Sequence, residues 1–158
     1  MATGSTTETS KLELGCGNYC HPGFTGVDIM GKPDIVADLE KDWPFPDNSV
    51  EEAHAHSVLE HLADLPHTMR ELYRVMVPNG LVHVTVPYYR FVNAYSPYHK
   101  VFFTEFTFAM FDKFEIVSQH YLIFEHKIRV PNNPRLFWIV DCLLGHIISD
   151  LVVELRKR

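Results

Sequence analysis

Gly15-Cys16-Gly17 follows the apolar end of Lys11-Leu12-Glu13-Leu14 and reads as a short buried strand that breaks into a glycine turn. Such a turn lets backbone N–H groups approach a ligand that any Cβ would block. Phe24-Thr25-Gly26-Val27-Asp28 then reads as a second strand capped by a carboxylate. A carboxylate there can accept hydrogen bonds from the two hydroxyls of a ribose. Asp38 closes a third apolar run, Ile35-Val36-Ala37. A glycine turn with strand-end acids predicts a nucleotide-like ligand. Histidine, with an ordinary pKa of about 6.5, suits proton transfer beside such a ligand. His99 and His56 are the candidate catalytic residues. Tyr88, Tyr89, Phe91 and Tyr95 offer aromatic faces for a cation or a substrate wall.

His54, His56, His61 and His67 crowd one region, and His54 and His56 share a strand face. Glu60-His61 is not the HExxH arrangement of a zinc hydrolase, and no cysteine accompanies the histidines. Cys16 and Cys20 are spaced C-x3-C, but Cys16 lies inside the glycine turn. No metal is expected.

The elements that must position these groups follow from patterning. Val50 to His56 reads as a fourth strand, preceded by the turn-rich Trp43–Ser49, and Ser57 to Leu62 as a short helical turn. Asp64 is a good N-cap with Pro66 early in its helix. Met69, Leu72, Tyr73 and Met76 then give an amphipathic helix that Pro78-Asn79-Gly80 ends. Leu81 to Val86 is a fifth, β-branched strand, buried on both faces. Strands alternating with helices or turns imply a parallel sheet with right-handed crossovers. Its C-terminal strand ends would gather Gly15, Asp28, Asp38, His56 with Ser57, and Tyr88 with Tyr89 on one edge. Further on, Glu105 to Phe111 is expected as a helix and Phe114 to Phe124 as a strand. Asn133-Pro134 is expected to open a helix to about His146, before a final antiparallel strand, Asp150 to Arg156. One helix from Pro134 to Arg158 is the competing reading.

The 158 residues suffice for one domain, 11–158, with residues 1–10 a polar tail or tag remnant. A formal charge of −6 argues against a nucleic-acid backbone as main partner. Three cysteines do not make a disulfide framework, which favours a reducing, cytoplasmic setting. Charges interrupt the apolar stretch Leu136 to Leu155, so no membrane span is expected. Arg156-Lys157-Arg158 reads as a solvated basic end.

With these residues in hand, the chain resembles the class I S-adenosylmethionine-dependent methyltransferases. It is most similar to the small branch with a shortened glycine-loop segment. The matching pieces are LELGCGN, FTGVDI, DIVADLEKDWPFPDNSVEEAHAHSVLEHL, RELYRVMVPNG, LVHVTVPYY, SPYHKVFFTEFTF and the closing LVVELRK. The resemblance implies an α/β, Rossmann-like, mostly parallel sheet with a final antiparallel strand and minimal helices on one face. It implies S-adenosylmethionine as cofactor, S-adenosylhomocysteine as product, and methyl transfer to a small-molecule or glycan-linked acceptor. A non-catalytic, cofactor-binding scaffold or regulatory subunit is the alternative. Gly15 and Gly17 would line the methionine part, Glu13 would orient the loop and face the amino group, and Asp28 would hold the ribose. Asp38 and Leu39 would flank the adenine, and His56 and Ser57 would face the sulfonium. Cys16, Asn18 and Ile29 complete the implied cofactor set, and Tyr88, Tyr89 and Tyr95 the substrate set.

A nicotinamide-dinucleotide enzyme would need G-x-G-x-x-G and an acid about 20 residues on. Here the third glycine is missing and Asp28 comes too soon. The segment from Gly17 to Thr25 is also too short for the helix most family members carry there. One sheet face is therefore expected to lack cover, and the C-terminal helix or a second subunit, as in a homodimer, would supply it.

Overall fold

Ala53, Ala55, Val82, Val84 and Val153 are all buried and alternate with partly exposed neighbours, the period-two pattern of strands with one face packed, and Leu12 and Leu14 are buried beside them. In the computed structural model, which describes residues 10–123, 126–131 and 148–158, these residues lie on one sheet. Its strands are β1 (Ser10–Leu14), β2 (Thr25–Asp28), β3 (Ile35–Val36), β4 (Val50–His56), β5 (Met76–Pro87), β6 (Phe114–Ile123), β7 (His126–Pro131) and β8 (Ile148–Lys157). The spatial order is β3-β2-β1-β4-β5-β8-β6-β7. The first five strands pair in parallel. β8 enters antiparallel between β5 and β6, and β7 pairs antiparallel with β6. This is the expected α/β, mostly parallel sheet with an antiparallel final strand.

The helix α1 (Leu65–Val75) starts where the sequence places it: Asp64 accepts a hydrogen bond from the His67 N–H at 2.9 Å. Leu65, Met69, Leu72 and Val75 join the core formed by the apolar sheet residues. Arg74 turns outward and ties the Trp43–Ser49 turn to the helix. Its guanidinium donates to Glu71 and Asp47, each at 2.7 Å, and to the carbonyls of Phe45 and Trp43.

Several expectations need correction. The chain turns directly from α1 into β5 at Met76, and Pro78-Asn79-Gly80 lies inside a shifted register, with Val50 opposite Met76 and Glu52 opposite Leu81. Asn79 takes up the irregularity at φ +65°. The expected helix over 105–111 is a run of turns ending in a short 3-10 segment, Phe108–Met110. There Thr104 and Thr107 bond neighbouring backbone, the local alternative that hydroxyl residues offer to a helix. β7 has no counterpart in the sequence reading, and β1 begins at Ser10, one residue early. The strand reading wins over a single C-terminal helix across 148–157. The expected helix over 133–146 and the N-terminal tail, up to residue 9, lie outside the described residues. Lys157 is no solvated terminus. It is buried, donating to Asn48 Oδ1 at 2.7 Å and the Met76 carbonyl at 2.8 Å beneath the Tyr73 ring.

α1 is the one α-helix among the described residues and covers one sheet face. The other face carries polar rows set by register. Glu13, His54, His83 and Glu154 lie side by side across β1, β4, β5 and β8. Lys11 and Glu52 form the adjacent row and are ion-paired at 2.7 Å.

Candidate cofactor and acceptor site

The glycine turn is held open by the acid at the end of β2. Asp28 Oδ2 accepts the Gly17 N–H at 2.8 Å and Oδ1 accepts the Met30 N–H at 2.9 Å. One lone pair on each oxygen remains for a ligand hydroxyl. Gly15 sits at φ +69°, and a Cβ there would lie 2.5 Å from Val58 Cγ2. Gly31 packs so closely that a Cβ would meet the Gly17 carbonyl oxygen at 2.1 Å. The Gly17 oxygen also accepts the Lys32 N–H, so the turn and the segment after β2 are zipped together.

Glu13 anchors the other end of the loop. Its buried carboxylate accepts the His21 N–H at 2.7 Å and faces His21 Nδ1 at 2.7 Å. Burial alone would raise this carboxyl, but the His21 contacts outweigh it and hold it below the usual range. The Cys16 and Cys20 thiols lie over Gly26, where an added Cβ would meet them at 2.6 and 3.1 Å. Burial raises both thiols, Cys20 to about 11, so neither presents a thiolate at neutral pH.

A cavity of about 570 Å³ opens beside the turn. Gly15, Asp28, Ile29, Asp38, Leu39 and Ser57 line it, all of them named from sequence. Met30, Ala37, Val58 and Leu62 add apolar walls, and Tyr98 and Lys100 close one side. The size is typical of a small-ligand site. The donor set fits S-adenosylmethionine: strand-end carboxylates suit hydroxyls, and the apolar flanks of Leu39 and Ile29 suit a flat base. Gly17, Glu13 and Cys16 build the loop without lining this cavity, and Asn18 is exposed.

A second cavity, about 490 Å³, adjoins the first and shares Ser57 and His61 with it. Glu60, Tyr95, His99 and Asp150 are among its lining residues. Ser57, at the boundary, adopts φ +50° while its N–H bonds the Thr85 carbonyl. That backbone conformation is uncommon outside glycine and concentrates at functional sites. The loop carrying Tyr98 and His99 folds over the end of β4 because the Lys100 and Val101 N–H groups both donate to the Glu60 carbonyl. His99 Nδ1 lies 3.2 Å from the Ala94 carbonyl and His61 Nδ1 lies 3.3 Å from the Tyr98 carbonyl. Each contact assigns the proton to Nδ1 and leaves Nε2 as an acceptor.

His56 is exposed on the sheet face opposite α1, paired with Thr85, and lines neither of these cavities. Tyr88 is 1% exposed, and its hydroxyl meets Glu105 at 3.2 Å, so it packs under the loop and walls no acceptor. Tyr89 packs against Tyr88 and the core, whereas Tyr95 lines the second cavity.

Sequence reasoning missed Glu60. It is 2% exposed, and its Oε2 has no hydrogen-bond partner among the described residues. Burial pushes this carboxyl above the usual range. Its ligand atoms lie within 4.8 Å of those of His61 and His99. The available signal was a carboxylate set between Leu59 and Leu62 in an otherwise apolar turn. No helix among the described residues is long and apolar enough to cross a membrane.

Comparison with known proteins agrees with this geometry. Residues 12–84 match the family described as a methyltransferase domain. No curated protein matches the sequence at a significant level. Among solved structures, an S-adenosylmethionine-dependent methyltransferase from Mesorhizobium loti superposes with a TM-score of 0.63 at 15% identity, covering 95% of this chain and 91% of that one. The [4+2]-cyclase SpnF gives 0.65 at 17%, covering 94% and 75%. A chain of a complex containing the Haloferax volcanii Trm112 methyltransferase activator gives 0.64 at 17%, covering 95% and 83%. Identities this low speak to the fold, while the domain match covers the glycine turn and both strand-end acids. Together they give the chain a methyltransferase-domain match over residues 12–84 and the fold of solved S-adenosylmethionine-dependent methyltransferases.

Proposed function

We propose that the chain transfers a methyl group from S-adenosylmethionine to a small-molecule or glycan-linked acceptor seated in the second cavity. The observation that carries this reading is the contact between the two cavities, which meet at Ser57 and His61. When bound, the cofactor supplies a methyl group already activated by a sulfonium. Asp28 would hold its hydroxyl-bearing part, Asp38 and Leu39 would flank its base, and the glycine turn would admit its amino-acid end. The chain's main task is then alignment, which can supply roughly 7–11 kcal/mol of the barrier. Where the acceptor carries a proton, His99 Nε2 takes it, with His99 Nδ1 steadied by the Ala94 carbonyl. Tyr95 offers an apolar or hydroxyl-bearing wall to the acceptor.

Thermal unfolding with S-adenosylhomocysteine, with NAD as control, tests the first half. At a hundredfold excess over its dissociation constant a ligand stabilises by about 2.7 kcal/mol. A shift with the homocysteine compound alone, abolished by Asp28→Ala, is expected; no shift with either overturns the proposal. An acceptor panel with labelled cofactor tests the second half. The fold is shared with a cyclase and with a chain of an activator complex. Cofactor binding without transfer to any acceptor would therefore favour a scaffold or regulatory subunit.

A further inference from the structure

We infer that the sheet face opposite α1 carries a binding site for a zinc-class divalent cation, formed by Glu52 and His54 of β4 and His83 of β5. Their ligand atoms all lie within 4.8 Å of one another. Glu52 Oε1 is 3.1 Å from His54 Nε2 and 3.6 Å from His83 Nε2. Around zinc, ligands at about 2.0–2.1 Å in a tetrahedron stand roughly 3.3 Å apart. Both carboxylate–imidazole separations already match this spacing, and the two imidazole nitrogens lie within 4.8 Å of each other. The side chains are 25–37% exposed, leaving the fourth position open to water.

The surroundings match what a metal site needs beyond its ligands. Lys11 Nζ holds the other Glu52 oxygen at 2.7 Å, which leaves Oε1 to the histidines. Glu154 Oε2 lies 3.6 Å from His83 Nδ1, the place of the carboxylate that orients a ligating imidazole. The Phe24 ring rests on His54 with centroids 4.2 Å apart. Two imidazoles and one carboxylate suit zinc, cobalt or nickel rather than the all-oxygen preference of calcium or magnesium. None of the three residues lines the cofactor or acceptor cavity, so this inference stands apart from the methyl-transfer reading.

The site was hidden from the sequence because its two histidines belong to different strands. His54 and His56 share a face, yet His56 stands beside Thr85, while His54 and His83 are register partners with rings 5.0 Å apart.

The test is cobalt(II) and zinc(II) titration of the untagged full chain after chelator treatment. One equivalent of cobalt with a tetrahedral visible spectrum is expected. The spectrum should be lost in His54→Gln and His83→Gln, and affinity should fall about 10–100-fold in Glu154→Gln. His61→Gln controls for the cluster of Glu60, His61 and His99, and should retain the spectrum. Circular dichroism checks that each variant folds. In the wild type, histidine ring nitrogen shifts on zinc addition should single out Nε2 of His54 and His83, which needs no variant. No stoichiometric uptake, uptake that survives both glutamine substitutions, or ring shifts confined to His61 and His99 would overturn the site.

Discussion

At the scale of single residues, Gly15 is limited twice, by a left-handed backbone and by Val58. Gly15→Ala should lower cofactor affinity and destabilise the fold by about 1–3 kcal/mol, measured by calorimetry and thermal unfolding. Adding Val58→Ala should recover only a small part of that loss, because it removes the Cγ2 at 2.5 Å but keeps the Cβ at 2.6 Å. Full recovery would show that neither the remaining contact nor the left-handed backbone limits Gly15. Glu60 gives a prediction of opposite sign. Its folded-state pKa is raised by burial, so ionisation costs stability as pH climbs above the ordinary carboxyl value of 4.5. Glu60→Gln should therefore raise the unfolding temperature more at pH 8 than at pH 4. An equal change at both would mean that burial is not what the substitution relieves. For His99, replacement by alanine should reduce turnover of a protonated acceptor by about 10²–10⁴-fold, with cofactor affinity intact, in a steady-state assay.

At the scale of elements, the turn before β4 and the helix α1 are joined through Arg74, not through apolar contacts alone. Its guanidinium satisfies two carboxylates and two carbonyls. Arg74→Ala should cost about 2–3 kcal/mol in a denaturation experiment, because it leaves Glu71 charged and buried without its partner, while the exposed Asp47 contributes little. The helix itself was legible from sequence: N-cap, early proline and apolar spacing are all encoded within one turn of one another. The segment over 105–111 was not. Its aromatic spacing resembled a helix face, but the hydroxyls of Thr104 and Thr107 close local turns, and Phe103 and Phe108 are drawn into the core.

At the scale of the whole molecule, carboxylates set the acid side of stability. His21 contacts outweigh burial to keep Glu13 low, the Lys11 bond lowers Glu52, and the Arg74 bond lowers Glu71. Each contributes stability that is present above its unfolded value of 4.5 and is lost as pH falls through its folded value. His54, lowered chiefly by burial, loses stability in the same direction below 6.5. The unfolding temperature should thus fall steeply as pH drops below about 4.5, while between about 6.5 and 4.5 the loss at His54 is opposed by the neutralisation of Glu60. Glu71→Gln should flatten the steep part.

The sequence alone determined what is encoded between near neighbours. The glycine turn, the acids closing β2 and following β3, the capped helix and the alternating strands are short-range patterns, and from them came the methyltransferase resemblance and much of the lining of the first cavity. The tertiary structure decided what depends on register between distant segments. It turned His56 outward and brought His83 to His54 instead. It packed Tyr88 beneath the loop whose His99 reaches the second cavity. It buried Glu60 without a partner for Oε2, and drew Lys157 under Tyr73 to Asn48. A strand's period fixes which face a residue occupies, but only pairing fixes which side chain on the next strand it meets.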